Sequence, residues 1–304
     1  MSVFSLTILG CNSAVPAFDR FPTSQLLKYK NESILIDCGE GTQFQFSKFK
    51  IKRANLNYIF ISHLHGDHYF GLVGLLNSFR LGGREAPLHI YGPPELEQII
   101  QLQADYTRED WLYPVYFHAH NYGKSYKIAE TKYLEVFTIP LEHRIPCNGF
   151  LFVEKPKPKK INAEALLKYS VPNTFIPKLR IGKDFVNDKG EIIKNELLTF
   201  EPEVCKKYAY CSDTVYNEAI IPIIKDADLL YHEATYLSSE EDKAEKWNHS
   251  TAKQAALIAK KANVGKLILG HYSAKYHDIR PFQAEAKEVF ENTELAVDGK
   301  EFEV

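Results

Sequence analysis

The chain has 304 residues, 45% hydrophobic and 25% charged, enough apolar side chain to offset chain entropy and to exclude wholesale disorder. No apolar run approaches the roughly 20 residues needed to span a bilayer, and residues 1–5 lack the basic and apolar regions of a secretory leader, so no membrane partner is expected. The formal net charge of −2, taken over the whole chain, argues against a general nucleic-acid binder.

In chain order, short β-rich apolar runs alternate with helical periodicity. Residues 3–9 read as a strand, and 24–29 with 33–37 as a hairpin turning at Lys30-Asn31-Glu32. A helix over 42–49, a buried strand over 57–62 and a helix over 68–80 follow. Then come a strand at 88–91, a helix at 94–104, and strands at 134–140 and 150–153. Beyond a break, 208–212, 229–233 and 266–270 read as strands, and 250–262 and 281–291 as helices. Ser250 is the expected N-cap of its helix, and Asn263 and Gly265 stand where that helix should stop. Several strands adjoin with no helix between them. This predicts a layered α/β fold of two mixed sheets with helices outside.

The break at 154–183 is basic. Lys155, Lys157, Lys159, Lys160, Lys168, Lys178, Arg180 and Lys183 face only Glu154 and Glu164, and four prolines punctuate the run. It reads either as a solvated surface loop or as an arm inserted over 154–206 into an otherwise single domain spanning 1–304. The five cysteines are widely spaced, odd in number and without a CxxC. That fits free thiols in a reducing cytoplasm.

The informative run is Ser62-His63-Leu64-His65-Gly66-Asp67-His68, directly after an apolar strand and before a helical pattern. A strand end with a tight turn can aim alternate side chains at one point, His63 and His65 at one metal, Asp67 and His68 at a second. Imidazole and carboxylate suit zinc, and also manganese or iron. His143, Asp213 and His271 each follow another predicted strand, and strand ends converge at a sheet edge. Asp213 is the natural bridge, since one carboxylate can hold two metals. Ser62 and Ser212 are read as partners of the local backbone rather than nucleophiles. Cys38 and Cys147 lie near the strand ends without marks of ligands.

The pattern His63-x-His65-x-Asp67-His68 with His143, Asp213 and His271 resembles the metallo-β-lactamase superfamily. Residues 10–16, Asp37-Cys38-Gly39-Glu40-Gly41-Thr42-Gln43, residues 62–76, His232-Glu233-Ala234-Thr235 and His249-Ser250-Thr251 are similar to its ribonuclease Z branch. The resemblance implies a four-layer αββα sandwich with a protruding arm. It implies two Zn2+ per subunit, one held by His63, His65 and His143, the other by Asp67, His68 and His271, with Asp213 bridging. It further implies a zinc-dependent endoribonuclease that removes the 3′ trailer of precursor tRNA with a metal-activated water and leaves a 3′-hydroxyl. Asp67 is then the base, His249 with Glu233 the proton donor, and Asp37 a support for a ligand imidazole. The arm is expected to bind tRNA through Lys155, Lys157, Lys159, Lys160, Lys178, Arg180 and Lys183 in a homodimer. The family's Gly-Pro turn is replaced here by Val171-Pro172-Asn173-Thr174-Phe175. Two other readings stay open: a metal phosphodiesterase for small cyclic nucleotides or other diesters, and an RNA-binding protein without catalysis.

Overall fold

A computed structural model describes residues 4–107 and 111–304. Val3, the first residue of the first expected strand, lies outside them. The chain begins β1 (Phe4–Gly10), β2 (Ser24–Tyr29) and β3 (Glu32–Cys38). Glu32 belongs to β3 and pairs with Tyr29, so the hairpin turns on Lys30-Asn31 alone, with Lys30 at φ 55°. Helix α1 (Thr42–Lys48), β4 (Leu56–Phe60), α2 (Gly66–Tyr69), α3 (Leu72–Leu81), β5 (Leu88–Gly92), α4 (Leu96–Thr107) and β6 (Val115–Ala119) follow.

The single helix expected at 68–80 is two. The chain breaks at Phe70-Gly71, where the Gly71 N–H donates to Cys38 O at 2.9 Å. A Cβ on Gly71 would meet Gly39 O at 2.1 Å. The close approach of the two backbones therefore ends one helix, turns the next, and demands glycine.

Strands β7 (Lys127–Glu130), β8 (Leu134–Leu141) and β9 (Cys147–Glu154) come next. After the basic segment, β14 (Lys207–Cys211), α8 (Ile221–Ile224), β15 (Leu229–Glu233), α9 (Glu241–Trp247), α10 (Ala252–Lys261), β16 (Lys266–Gly270), α11 (Arg280–Lys287), β17 (Thr293–Leu295) and β18 (Glu301–Glu303) complete the chain. The segment itself holds β10 (Lys160–Ile161), α5 (Ala163–Lys168), α6 (Ile176–Arg180), β11 (Phe185–Val186), β12 (Ile192–Ile193), α7 (Asn195–Leu198) and β13 (Thr199–Phe200).

Two seven-stranded sheets result, in the orders β18-β1-β2-β3-β4-β5-β6 and β17-β16-β15-β14-β9-β8-β7. Their inner faces meet through aromatic rings: Phe60 of β4 lies 5.3 Å from Phe150 and 5.5 Å from Phe152 of β9. Helices α1, α3 and α4 cover the first sheet through Phe46, Leu72, Leu75, Leu76, Phe79, Leu96 and Ile100. Helices α10 and α11 pack on β15, β16 and β17. β14, β15 and β16 are parallel and buried along almost all their length, which is why they read as continuous apolar runs rather than alternating ones.

Helix α10 is capped by Thr251, not Ser250. Thr251 and Gln254 form a reciprocal capping box, while Ser250 Oγ donates to Thr214 O at 2.8 Å.

The described residues divide into two compact units, one running to Phe152 and resuming at Lys207–Val304, the other Val153–Lys206. The smaller unit has its own core of Leu166, Val171, Leu179, Phe185, Ile193 and Leu198.

Candidate metal centre

The seven expected ligands sit just past the C-terminal ends of β4, β8, β14 and β16, on the larger unit. His63 and His65 follow β4. His65 opens α2, whose first turn carries Asp67 and His68. His143 follows β8, Asp213 follows β14 and His271 follows β16. All seven converge.

His65 Nδ1 lies 3.1 Å from both His63 Nε2 and His143 Nε2. Asp213 stands between two groups. Its Oδ2 is 3.6 Å from His63 Nε2 and from His143 Nε2, and its Oδ1 is 3.3 Å from His68 Nε2 and 3.2 Å from His271 Nε2. Asp67 Oδ2 faces the second group, 3.3 Å from His271 Nε2 and 3.6 Å from His68 Nε2.

The imidazoles are aimed from behind. His68 Nδ1–H donates to Asp37 Oδ2 at 2.7 Å, and His143 Nδ1–H to Asn248 O at 2.8 Å. His63 Nδ1 bonds Ser62 Oγ at 2.9 Å, and His271 Nδ1 bonds Thr235 Oγ1 at 2.9 Å. Each outer nitrogen is thus committed, and Nε2 of these four rings turns inward, the arrangement that fixes a ligand tautomer.

Electrostatics fit a cation between these groups. Asp213 Oδ1 is buried and without a hydrogen-bond donor, costly for a carboxylate unless a cation supplies the missing charge. Burial and the neighbouring imidazoles lower the pKa of His63 and take that of His65 down to about 4. Both are therefore neutral, as ligands must be. Burial works against a charge on His68 too, but Asp213, Asp67 and Asp37 outweigh it and push its pKa up. A proton there is the one-charge substitute for a dication. Among the described residues, three groups of ligand atoms lie close enough for one ion: His63, His65 and His143 with Asp213; Asp67 and His68 with His271; and Asp213 with His249 and His271.

Beside them stands an imidazole–carboxylate pair. His249 Nδ1 is 2.8 Å from Glu233 Oε1. Glu233 is fixed in turn by the Thr214 N–H at 3.0 Å, the Thr235 N–H at 2.9 Å and Thr235 Oγ1 at 2.7 Å. Burial opposes a charge on His249, but Glu233 wins and raises its pKa to about 9.

A protein-family model described as Anti-Pycsar protein Apyc1 matches residues 4–144. Over its full length the chain is 44% identical to a protein named ribonuclease Z from Parabacteroides distasonis, covering 100% of both. It is 45% identical to one of the same name from Cytophaga hutchinsonii, covering 99% of this chain and 96% of that one. The chain belongs to the ribonuclease Z family. The solved short form of human tRNase Z is similar to it at TM-score 0.72 and 27% identity, covering 98% of each chain. A metallo-β-lactamase fold protein from Bacillus subtilis has a TM-score of 0.72 at 19% identity, covering 99% of this chain and 100% of that one, and shares the fold.

For this ribonuclease Z family member, the sequence names Asp37 behind the ligands but not the groups that hold Asp37. Asp37 accepts from the Ser62 N–H, Ser62 Oγ and Tyr210 OH as well as from His68. Tyr210 looks like packing in an apolar run, and nothing in the run shows its hydroxyl turned to Asp37. Ser62 does not bond the local backbone as expected. Its Oγ joins Asp37, His63 and Ser212 Oγ, because the carboxylate behind the ligands needs donors more than a turn needs a cap. Cys147 Sγ sits 3.6 Å from His63 Nδ1, behind the ring rather than among the inward nitrogens.

The smaller unit separates the cations named for it. Lys157 pairs with Glu154 and Glu203, Lys159 with Glu201 and Lys160 with Glu203. Eleven cations and eight carboxylates lie in 153–206, so acidic residues after Lys183 neutralise much of the basic run before it. Lys178, Arg180 and Lys183 are exposed, and among the described residues no carboxylate lies within ion-pair distance of them.

Proposed function

We propose that this chain removes the 3′ trailer from precursor tRNA, leaving a 3′-hydroxyl on the tRNA. The observation that carries the reading is the union of two parts at the strand ends of the two sheets: seven inward ligand groups with Asp213 between them, and the Glu233–His249 pair beside them. Two zinc ions per subunit suit these donors, one with His63, His65 and His143 and the other with Asp67, His68 and His271, and manganese or another divalent ion suits them too. Such ions, when bound, act as Lewis acids that lower the pKa of water and neutralise phosphoryl charge.

The chain's own residues do the rest. Asp67 orients the attacking water and takes a proton from it. The water oxygen bonds to phosphorus as the bond from phosphorus to the ribose 3′-oxygen breaks. That oxygen is a poor leaving group, and His249 Nε2 gives it a proton. Glu233 holds Nδ1 from behind, so that Nε2 faces the leaving group. Asp37 keeps His68 in register.

The exposed trio Lys178, Arg180 and Lys183 takes RNA phosphates, which accept any suitably placed cation. Lys155, Lys157, Lys159 and Lys160 contribute to the field of the arm. The enzyme works as a homodimer in the cytoplasm. Exposed Phe44 on α1 and Leu81 on α3 offer apolar surface to a second copy, and five free cysteines suit a reducing compartment.

Incubation of the metal-loaded protein with a defined precursor tRNA, beside bis-(p-nitrophenyl) phosphate, tests this. Cleavage at the discriminator base with a 3′-hydroxyl is expected. Hydrolysis of the small diester with the precursor left whole would favour the phosphodiesterase reading instead, and binding without either reaction the non-catalytic one. Sedimentation at micromolar concentration tests the dimer.

A further inference from the structure

One cation at the metal cleft has no partner of opposite charge within ion-pair distance among the described residues. Arg144 lines the cleft together with His65, Asp67, Phe70, Asp213 and His249, and it is the only Lys or Arg among the described lining residues. The side chain of His143, one position earlier, is buried and turned to Asp213, whereas Arg144 is exposed. Its guanidinium lies 5.3 Å from the centre of the Trp247 ring, and Trp247 is itself 43% exposed. The two contacts run in step: His143 bonds Asn248 O while Arg144 stacks on Trp247. The loop after β8 is thereby clipped to the end of α9, just before His249. Lys246 places a second cation over the same ring at 5.4 Å.

An exposed indole and an exposed arginine at the lip of a cleft serve no core. Stacking on an aromatic face restricts the guanidinium without using its N–H donors. Its planar fork therefore remains available for a bidentate contact with an anion. The cleft floor belongs to the metal ligands, and the other charged lining groups are carboxylates and imidazoles. An anion at the lip is therefore not the reacting phosphate but one beside it on the same strand.

We propose that Arg144, braced on Trp247, grips the RNA phosphate adjacent to the scissile one, a role that rests on the tRNA-cleaving reading above. It is a positioning residue: it sets where the strand crosses the metal edge and so which bond reaches His249.

The test uses the metal-loaded enzyme, a precursor tRNA, and precursors carrying one neutral methylphosphonate on either side of the cleavage site. Arg144→Ala should raise KM about tenfold, with a much smaller change in kcat, and Arg144→Lys should recover part of it. The slope of log affinity against log salt should fall by about one. One methylphosphonate should weaken the wild type as Arg144→Ala does and cause no further loss in that variant. Trp247→Ala should move KM in the same direction by less. An Arg144→Ala enzyme with wild-type KM and salt slope overturns the proposal, and so does one that loses kcat and bound metal together, or one still sensitive to both methylphosphonates. Failure of the wild type to cut the precursor would overturn the tRNA reading itself. Normal wild-type cleavage with an indifferent Arg144→Ala overturns only the role of Arg144.

Discussion

The metal pocket and the basic unit both gather charge, by opposite physics. In the pocket, Asp37, His63, His68, Asp213, Glu233 and His271 are buried, and each side chain is held by neighbours that are themselves held. In the unit spanning Val153–Lys206, most charges lie on the surface, the buried Glu154 apart. Lys157, Lys159 and Lys160 are tied to glutamates, whereas Lys178, Arg180 and Lys183 are exposed. Burial makes a charge expensive unless its partners are fixed, so chemistry is confined to a pocket whose geometry is over-determined. Exposure makes a charge cheap to move, so affinity for a polyanion can be spread over residues that individually matter little.

The pocket depends most on Asp213. Asp213→Ala removes the carboxylate shared by both ligand groups and leaves five imidazoles and Asp67. Turnover of precursor tRNA and of a small diester should both fall by at least about a thousandfold, with metal content reduced on elemental analysis. Chelation of the wild type should have the same effect and be reversed by added zinc. Survival of either activity would mean that the pocket is not the reaction site.

His249→Ala should cost roughly a hundred- to ten-thousandfold in turnover while both ions stay bound. Metal loss in that variant would make His249 structural. Glu233→Gln should cost less, because it weakens the orientation of the ring but keeps the ring. Asp37→Asn lies one step further out. It should lower metal affinity about ten- to a hundredfold, visible as activity that returns at high zinc. Full activity at low zinc would show that Ser62 and Tyr210 suffice to hold the shell.

The basic unit sharpens the contrast from the other side. Replacing Lys178, Arg180 and Lys183 by Ala should weaken precursor binding and lower the salt slope by about two to three. Replacing Lys157, Lys159 and Lys160 removes as much formal charge but frees Glu201 and Glu203. Its effect on the slope should be smaller, and its effect on protection of the 153–206 unit from protease larger. Equal slopes for the two triple variants would mean that only net charge matters.

Much of this was legible in the sequence. His63, His143, Asp213 and His271 are each the first or second polar group after an apolar strand, with His65, Asp67 and His68 close behind His63, and strand ends are the best-marked boundaries in an α/β chain. Of the shell behind them only Asp37 was named, because Tyr210 and Ser62 join it across strands distant in sequence and no local spacing encodes such a meeting. The strands at Val115–Ala119 and Lys127–Glu130 were missed for another reason. They are edge strands with half-buried, mixed faces, and their periodicity is weak. The basic run was legible as charge but not as partnership, since Lys159 and Glu201 are brought together only by the β10–β13 pairing.

A last carboxylate, partly buried, isolates what a missing cation does. Asp298 accepts from the Phe21 N–H at 2.9 Å and from Gln45 Nε2 at 3.0 Å, yet its Oδ1 has no donor. Burial raises its pKa to about 6, and the Phe21 N–H, Cys11 and the charge of Lys48 oppose this without prevailing. In Asp213 burial pushes the same way, but the surrounding imidazoles win and the pKa is lowered. The sign for Asp298 follows. Below about pH 4 it is neutral folded and unfolded, and contributes nothing. Between about pH 4 and 6 the unfolded carboxyl ionises first, so folding loses stability as pH rises, by at most about 3 kcal/mol, and the loss persists above pH 6. Asp298→Asn, measured against the wild type by urea unfolding from pH 4 to 7, should abolish that part of the slope. Identical slopes would show that solvent reaches the carboxylate and that its burial carries no electrostatic penalty.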